Sequence, residues 1–444
     1  MERPGWCRAL GAIEGGQIAA THEDPNSEFF EIQVFLINLD MKFIIRIIFF
    51  LAVAGTNLFA ESTLRLIILN PDDLAYSKAK ISTKDDAYVK VIRQLCTEAD
   101  EALQKGPYSV VNKKKAPPSG DLHDYMSIGP YWWPDTTRPD SLPYTRRDGE
   151  VNPERYLYDN MALDSLDSAV TILSLAYYFS GNEKYAEHAS LLIRTWFLSE
   201  ETRMNPHLNY GQAIRGIVEG RGIGIIDTRA FFRIAEAIGL IGASAHWSET
   251  DQMGMEKWFT EYLEWLLQSD FGIDERNHKN NHGTWYDVLV TSLATFTGQK
   301  EIVDEILSQV PQKRIAAQID SEGKQAYELE RTRAFHYSVM NLMGLFQLAL
   351  IAEKTGKNLW TYPSTDTALL RKGLDYLIPY ALREQKWPYK MIRGWEDDLQ
   401  TISVLLRIAA KKYDHPAYEK MIEKLPDINI NSIQLRLLFP DTSL

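Results

Sequence analysis

The sequence predicts an all-α protein, an incomplete (α/α) toroid of antiparallel helical hairpins. From about Asn160 onward, apolar residues such as Leu163, Leu166, Val170 and Leu173 recur three or four positions apart, the spacing of one helix face. Several of these segments end on a Gly-polar turn, as in "SGNEK", "TGQKE" and "KTGKN", which is typical of helical hairpins packed in series. The alternative architecture is an irregular helical bundle.

The predicted helices follow one another along the chain, and we find no convincing alternating strand pattern between them. Exact sequence repeats are also lacking, which argues against a solenoid of short repeats. The segments, in order, are "NMALDSLDSAVTILSLAYYFSG", "EKYAEHASLLIRTWFL", "DTRAFFRIAEAIGLIGAS", "MEKWFTEYLEWLLQS", "TWYDVLVTSLATFTG", "FHYSVMNLMGLFQLALIAEKTG", "ALLRKGLDYLIPYALR" and "WEDDLQTISVLLRIAAKK".

Composition limits the classes of function. The 444 residues are 45% hydrophobic and 24% charged, so the chain has enough apolar residues for a substantial core. A formal net charge of −12 argues against a nucleic-acid partner. It is compatible with an anionic substrate if the basic residues are concentrated in one cleft. With only Cys7 and Cys96, we expect no disulfide framework.

The N-terminal region resembles an export signal. In "MKFIIRIIFFLAVAGTNLFAES" the basic residues Lys42 and Arg46 precede an apolar run that ends near Ala60, which predicts a signal peptide over residues 41–60. Residues 1–40 then form a doubtful upstream leader, and residues 61–444 the mature domain. We expect a periplasmic or secreted protein without stable membrane insertion, because the apolar run is short for a membrane span.

A long loop rich in Pro, Gly and aromatic residues precedes the helical array. Tyr131, Trp132 and Trp133 offer flat apolar faces on stiff backbone between two prolines, which suits stacking on sugar rings. His123 adds a hydrogen-bonding group to the same loop. The structural alternative is that the tryptophans cover the end of a helical core.

A second polar stretch, "NPHLNYGQAIRGIVEGRGIGIIDTRAF", carries four further candidates for substrate binding: Asn209, Tyr210, Arg215 and Arg221. It is more polar than a buried connection between helices needs, and its glycines allow a ligand to approach the backbone. No GxGxxG motif follows a strand here, so nucleotide binding is only weakly indicated. We expect Asp227 to cap the next helix.

Two helix starts carry the candidates for chemistry. In "NNHGTWYDVL", Asn281 and His282 open an apolar helix, and "YELERTRAFHYSVMNL" opens another. A lone His or Tyr at such a place is more often a satisfied core residue. Here His and Tyr arrive together with two arginines, which favours a functional interpretation. The candidates in the second stretch are Arg331, Arg333, His336 and Tyr337.

Asn, Arg, His and Tyr together suit β-elimination of a 4-linked uronic acid. The C5 proton becomes acidic only when donors neutralise the adjacent carboxylate, and Asn and Arg supply such donors. A Tyr base with an ordinary pKa of about 10 needs positive charge nearby, which Arg331 and Arg333 could provide. In mannuronate and glucuronate one Tyr can take the proton and return it to the leaving oxygen. In guluronate His would be the base and Tyr the acid.

"NNHGTWYDVL" and "ELERTRAFHY" resemble the paired signatures of the alginate-lyase superfamily, whose fold is an (α/α) toroid. The loop "SGDLHDYMSIGPYWWPD" and the stretch "GRGIGIIDTRAF" resemble its secreted bacterial branch, which acts on polymannuronate and glucuronan. The resemblance implies a catalytic domain over residues 61–444 that cleaves an anionic polysaccharide without a cofactor or a metal. The resemblance further implies that Asn281 neutralises the substrate carboxylate, that His282 is the adjacent imidazole and that Tyr337 is the catalytic tyrosine. Arg331 is the favoured arginine, with Arg333 as the alternative, because the family's spacing to the tyrosine differs by one residue.

Three other classes of protein remain as alternatives. A glycoside hydrolase on a helical toroid would use two carboxylates, for which Asp121, Asp124 and Asp287 are candidates. A non-catalytic glycan-binding protein would keep the aromatic loop but would not need Asn281, His282 and Tyr337 together. A metal-dependent enzyme is less favoured, because His278 and His282 lack an HExxH pattern.

Overall fold

The computed structural model describes residues 64–442, so the expected leader (1–40) and signal peptide (41–60) lie outside the described residues. Helices dominate this part of the chain. Their bounds are α1 Pro71–Ser82, α2 Asp86–Ala102, α3 Asn160–Ser180, α4 Glu183–Ile193, α5 Phe231–Ile241, α6 Glu249–Gln268, α7 Asp270–Asn277, α8 Asn281–Phe296, α9 Lys300–Val310, α10 Ala326–Leu329, α11 Ala334–Lys354, α12 Leu369–Ala381, α13 Glu396–Lys412 and α14 Ala417–Ile422.

The longer helices pack in two layers. Helices α3, α5, α8, α11 and α13 contact one another in this order, and each of α4, α6, α9, α12 and α14 packs against a member of that inner series. Alternation of an inner and an outer helix is the arrangement of an (α/α) toroid. The predicted all-α fold is therefore confirmed.

Two of the inner helices, α8 and α11, are buried on most sides because neighbours surround them. In α8, 13 of 16 residues are buried, from Asn281 through Val288 and Leu289 to Ala294. In α11 the most apolar stretch is long enough to cross a membrane, but 72% of it is buried inside the protein. Core packing explains a helix of this kind, since a helix that is apolar all round needs partners all round.

The structure also contains two short sheets that the sequence did not predict. Strand β1 (Met126–Ile128) pairs in parallel with β4 (Tyr210–Ala213), and β2 (Trp132–Trp133) pairs antiparallel with β3 (Thr145–Arg146). Strands of two to four residues are too short to show an alternating pattern. The sheets tie the aromatic loop to itself and to the second polar stretch.

Candidate active site

A cleft of about 1150 Å³ lies where the aromatic loop, the 3₁₀ turn Gly222–Thr228, the start of α8 and the segment 327–340 meet. It brings together residues as far apart in the chain as Tyr131 and Tyr337, which are separated by 206 positions. The predicted site residues that line it are Asn281, His282, Arg331, Arg333, His336, Tyr337, Tyr131, Trp132 and Arg221.

The start of α8 is held firmly in place. Asn280 caps the helix by accepting a hydrogen bond from the backbone N–H of His282 at 3.2 Å, as N-cap residues do. Behind it, the buried guanidinium of Arg314 pairs with Asp287 (Nε to Oδ2, 2.7 Å) and donates to the carbonyl of His278 at 2.8 Å. The segment 278–282 is therefore anchored by a buried ion pair, which fixes the positions of the Asn281 and His282 side chains.

His282 is oriented by a carboxylate that the sequence did not reveal. Its Nδ1 lies 2.8 Å from Oε1 of Glu275, a residue of α7 that is only 1% exposed. The Glu275 carboxylate accepts a hydrogen bond from Nδ1–H of His282. The other ring nitrogen, Nε2, is then unprotonated and can accept a hydrogen bond or a proton. His282 lines the cleft, so this arrangement suits a base or a hydrogen-bond partner for a bound sugar.

Asn281 is clamped from behind by a second unexpected carboxylate, Glu328 of α10. The backbone N–H and the side-chain Nδ2 of Asn281 donate to the two oxygens of Glu328 at 2.6 and 2.8 Å. Both residues are 1% exposed. The amide oxygen of Asn281 is buried and has no hydrogen-bond partner among the described residues.

Tyr337, in the first turn of α11, lies against two other side chains of the cleft. Its hydroxyl group is 2.7 Å from the hydroxyl of Tyr131, and the Arg331 guanidinium carbon lies 3.8 Å from the centre of its ring. Burial raises the pKa of Tyr337, and Tyr131 raises it further. The positive charge of Arg331 lowers this pKa, as expected, but is outweighed. The expectation of a net decrease was wrong, because the phenol is largely removed from water.

The two candidate arginines have different surroundings. Arg331 donates to Asp148 at 2.9 Å, and Thr332 binds the same carboxylate at 2.8 Å. Burial alone would raise the pKa of Asp148, but Arg331 and Thr332 lower it well below its ordinary value. Arg333 has no ion-pair partner in the described part of the chain, and its buried Nε has no hydrogen-bond partner. Arg331 is thus tied to Tyr337 and Asp148, whereas Arg333 is free to meet an anion.

His336 forms the second pair of a histidine and a carboxylate in the cleft. Its Nδ1 lies 2.8 Å from Oδ1 of Asp398, a buried residue in the first turn of α13. The rings of His336 and Tyr337 are 5.3 Å apart. Asp398 therefore fixes the ring of His336 beside the predicted catalytic tyrosine.

Arg221 and Trp132 also line the cleft. Arg221 donates to the carbonyl and the side-chain oxygen of Gln212 at 2.9 and 3.1 Å and lies 5.9 Å from the ring of Trp132. Burial lowers the pKa of Arg221 to about 10. Gln212 itself has a φ of 49°, a strained backbone for a non-glycine residue that often marks a functional region.

Asp227 does not cap a helix, contrary to expectation. It lies in the turn Gly222–Thr228, whereas α5 begins only at Phe231. Its carboxylate accepts hydrogen bonds from Tyr125, Ser127 and Gln212. It therefore joins β1 to β4 at the edge of the cleft.

The structure places five other predicted substrate-binding residues outside the cleft. Trp133 donates to the carbonyl of Glu150 at 2.9 Å and carries Arg147 over its ring at 5.1 Å. Asn209 accepts from the indole N–H of Trp265 at 3.1 Å.

The remaining three residues, His123, Arg215 and Tyr210, also contact other parts of the protein. His123 binds the carbonyl of Arg203 at 2.6 Å, and Arg215 donates to the hydroxyl of Tyr144 at 3.0 Å. Tyr210 is in β4 and packs on a small apolar cluster. The structure therefore does not bring Trp133, His123, Asn209, Tyr210 and Arg215 together with the other predicted site residues in the cleft.

The cleft is basic although the chain is acidic. Its lining includes seven Lys or Arg residues and four Asp or Glu residues, against a net charge of −12 for the whole chain. Such concentration of positive charge attracts an anionic ligand. The basic residues are Arg146, Arg155, Arg221, Arg229, Lys279, Arg331 and Arg333, and the acidic ones are Asp148, Asp164, Asp227 and Glu330.

Within residues 64–442, no group of three or more His, Cys, Asp or Glu side chains is arranged to hold a metal ion. The carboxylates nearest the predicted catalytic residues, Glu275, Glu328 and Asp148, are each bound to one of those residues instead.

Comparison with known proteins agrees with this geometry. The family model described as Alginate lyase matches residues 109–387. A crystal structure of an alginate lyase from Bacteroides ovatus is 38% identical, covers 84% of this chain and 99% of its own, and superposes with a TM-score of 0.81. Alginate lyase A1-III from Sphingomonas species A1 shares the fold at 12% identity, covering 84% of this chain and 98% of its own with a TM-score of 0.54. No curated protein sequence matches the chain. The chain belongs to the alginate lyase family and is a polysaccharide lyase.

Proposed function

We propose that this protein cleaves a 4-linked polyuronate, alginate (polymannuronate) or glucuronan, by β-elimination and leaves an unsaturated uronate at the new end. The observation that carries this proposal is the meeting of Asn281, His282, Arg331 and Tyr337 in one basic cleft. The 38% identical relative from Bacteroides ovatus is itself named an alginate lyase, which supports alginate as the first substrate to test.

The first requirement of the reaction is neutralisation of the substrate carboxylate. Asn281 supplies an amide, and Arg333 supplies a guanidinium that has no carboxylate partner of its own among the described residues. Hydrogen bonds from these groups strengthen as negative charge moves from C5 onto the carboxylate. Arg331 acts on Tyr337 instead, because it lies over the phenol ring.

The second requirement is transfer of one proton. A base takes the C5 proton, a double bond forms between C4 and C5, the bond from C4 to the glycosidic oxygen breaks, and that oxygen receives a proton. For mannuronate and glucuronate, Tyr337 takes the proton and returns it. For guluronate, Nε2 of His282 takes the proton and the Tyr337 hydroxyl donates its own.

The raised pKa of Tyr337 bears on these roles. A phenol that stays protonated in the free enzyme is ready to act as the acid. To act as the base it must pass its proton onward or ionise when the substrate is bound, and the charge of Arg331 stabilises the phenolate at that moment. We therefore assign Arg331 to stabilising the phenolate.

The proposed carboxylate pair of a hydrolase receives no support from the geometry. Asp121, Asp124 and Asp287 do not line the cleft. Asp287 is bound to Arg314, and Asp121 and Asp124 both accept from Asn205. The elimination mechanism uses the residues that do line it.

We further propose that the protein is exported through the signal peptide over residues 41–60 and acts in the periplasm or outside the cell. Mass spectrometry of the native protein tests this. A mature N-terminus near Glu61 is expected, and a peptide from residues 1–40 would contradict a translation start at Met41.

The proposed activity is tested by following the ultraviolet absorbance of unsaturated uronate when the protein is mixed with polymannuronate, polyguluronate or glucuronan. We expect absorbance to rise on at least one of these polymers. Tyr337→Phe should lower the rate by about 10²- to 10⁴-fold, the usual contribution of a general acid or base. Cleavage without the chromophore would contradict elimination.

A further inference from the structure

The hydrogen bonds between Glu328 and Asn281 fix the orientation of the Asn281 side-chain amide. Glu328 accepts hydrogen bonds from both the backbone N–H and the side-chain Nδ2 of Asn281, at 2.6 and 2.8 Å. An ionised carboxylate can only accept hydrogen bonds, so it holds the NH₂ group of the amide toward itself. The amide oxygen is then left without a partner, and it is buried.

This orientation is poorly suited to binding a uronate. The carboxylate of the substrate needs hydrogen-bond donors, whereas here one of the two N–H bonds of the Asn281 amide is taken by Glu328, and the buried amide oxygen is an acceptor without a partner. An ionised Glu328 would also place a second negative charge just behind the amide. A like charge nearby raises the pKa of a buried carboxyl group, which favours a bound proton on Glu328 when the substrate carboxylate is present.

We propose that Glu328 carries a proton when substrate is bound, and that the amide of Asn281 is then turned over. In this state the Glu328 hydroxyl donates to the Asn281 oxygen, and the other Glu328 oxygen still accepts from the Asn281 backbone N–H. Both N–H bonds of the Asn281 amide are then available to donate to the substrate carboxylate. Glu328 is thus a positioning residue that decides which end of the amide faces the substrate. This inference rests on the proposed elimination reaction.

The surroundings of Glu328 agree with a bound proton. Burial raises the pKa of Glu328, and the opposing influences are the hydrogen bonds from Asn281 and the proximity of Arg331 and His282. Arg331 and His282 are each hydrogen-bonded to another carboxylate, Arg331 to Asp148 and His282 to Glu275. Glu328 is therefore the acid in this cluster that has no cation of its own.

The test is to compare Glu328→Gln with Glu328→Ala by the pH dependence of lyase activity. Gln reproduces the protonated acid: its NH₂ donates to the Asn281 oxygen and its own oxygen accepts from the backbone N–H. We expect Glu328→Gln to keep activity within about threefold of the unmodified protein at neutral pH, and to lose the decline that the unmodified protein shows as Glu328 ionises. Glu328→Ala should lose at least 100-fold. Glu322→Gln, at an exposed position that is paired only with Lys324, is the matched control and should leave the pH profile unchanged.

Two results would overturn the inference. Loss of activity in Glu328→Gln as large as in Glu328→Ala would mean that an ionised carboxylate is required. An unchanged alkaline decline in Glu328→Gln would mean that the titrating proton is on another group.

A spectroscopic measurement separates this inference from the proposed function. The difference infrared spectrum of the protein with and without an oligouronate should show a protonated carboxyl band that is missing in Glu328→Gln. Absence of that band in the unmodified protein would overturn the inference even if the enzyme is an active lyase. Absence of any unsaturated product would contradict the proposed function instead, whatever the band shows.

Discussion

The hydroxyl groups of Tyr131 and Tyr337 lie 2.7 Å apart, although the residues are 206 positions apart in the chain. The aromatic loop and the first turn of α11 thus meet at the predicted catalytic tyrosine. This contact joins the two parts of the sequence that carried the clearest signals, a loop suited to sugar binding and a helix start suited to chemistry.

The contact between Tyr131 and Tyr337 predicts a change in the pKa of Tyr337 when Tyr131 is substituted. Tyr131 raises the pKa of Tyr337, so Tyr131→Phe should lower this pKa toward the ordinary value of a phenol. The Tyr337 phenol should then ionise at lower pH. Ultraviolet titration of tyrosinate, compared between Tyr131→Phe and the Tyr131→Phe/Tyr337→Phe double variant, measures this directly. An unchanged or higher pKa would contradict the account.

Substitution of Arg333 and substitution of Arg331 should have different kinetic effects. Arg333→Gln should raise KM and also lower kcat, with kcat/KM falling by about ten- to a hundredfold, since a hydrogen bond to a charged group contributes about 1.5–3 kcal/mol. Arg331→Gln should mainly lower kcat and raise the pKa of Tyr337, because Arg331 lowers that pKa. Steady-state kinetics of the two variants at one pH distinguishes them. Equal effects of both on KM would refute this division of roles.

Asp398→Asn tests the role of the second histidine pair. The amide can donate to Nδ1 of His336, which would move the ring proton to Nε2 and turn an acceptor into a donor. We expect KM to rise about tenfold with kcat little changed, if Nε2 accepts a hydrogen bond from a sugar hydroxyl. Asp397→Asn, at the exposed neighbouring position, is the control. A kcat effect without a KM effect would place His336 in the chemical step instead.

The buried pair of Arg314 and Asp287 should be important for stability. Their side chains are 1% and 3% exposed, so Asp287→Ala leaves a buried guanidinium without its partner and should cost about 3–5 kcal/mol of unfolding free energy. Chemical denaturation measures this cost. The double variant Arg314→Met/Asp287→Leu, which removes both charges, should recover much of the loss. A loss below 1 kcal/mol in the single variant would mean that water or other groups satisfy Arg314.

Much of the fold could be predicted from the sequence because helical periodicity is a local property. The spacing of Leu163, Leu166 and Val170 indicates the buried face of α3, whichever elements pack against it. The four short strands could not be predicted in this way, since pairs such as Trp132 with Arg146 form between loop residues that carry no alternating pattern.

For the site, the residue types and their spacing pointed to Asn281, His282 and Tyr337, and the structure brings these three into one cleft. The carboxylates that hold them could not be identified, because Glu328 and Asp148 come from other elements, 47 and 183 positions away from the groups they bind. Five of the predicted substrate-binding residues lie outside the cleft. Polar residues such as Asn209 and Arg215 satisfy neighbouring side chains, and this becomes visible only when the fold is known.

The most direct test of elimination is the mass of the products from one defined oligouronate. A lyase adds no water, so the masses of the two fragments should sum to the mass of the substrate, and the fragment with the new non-reducing end should carry the unsaturated uronate. Tyr337→Phe should abolish both fragments. Fragments that together exceed the substrate by one water molecule would contradict the account and assign the chain to hydrolysis.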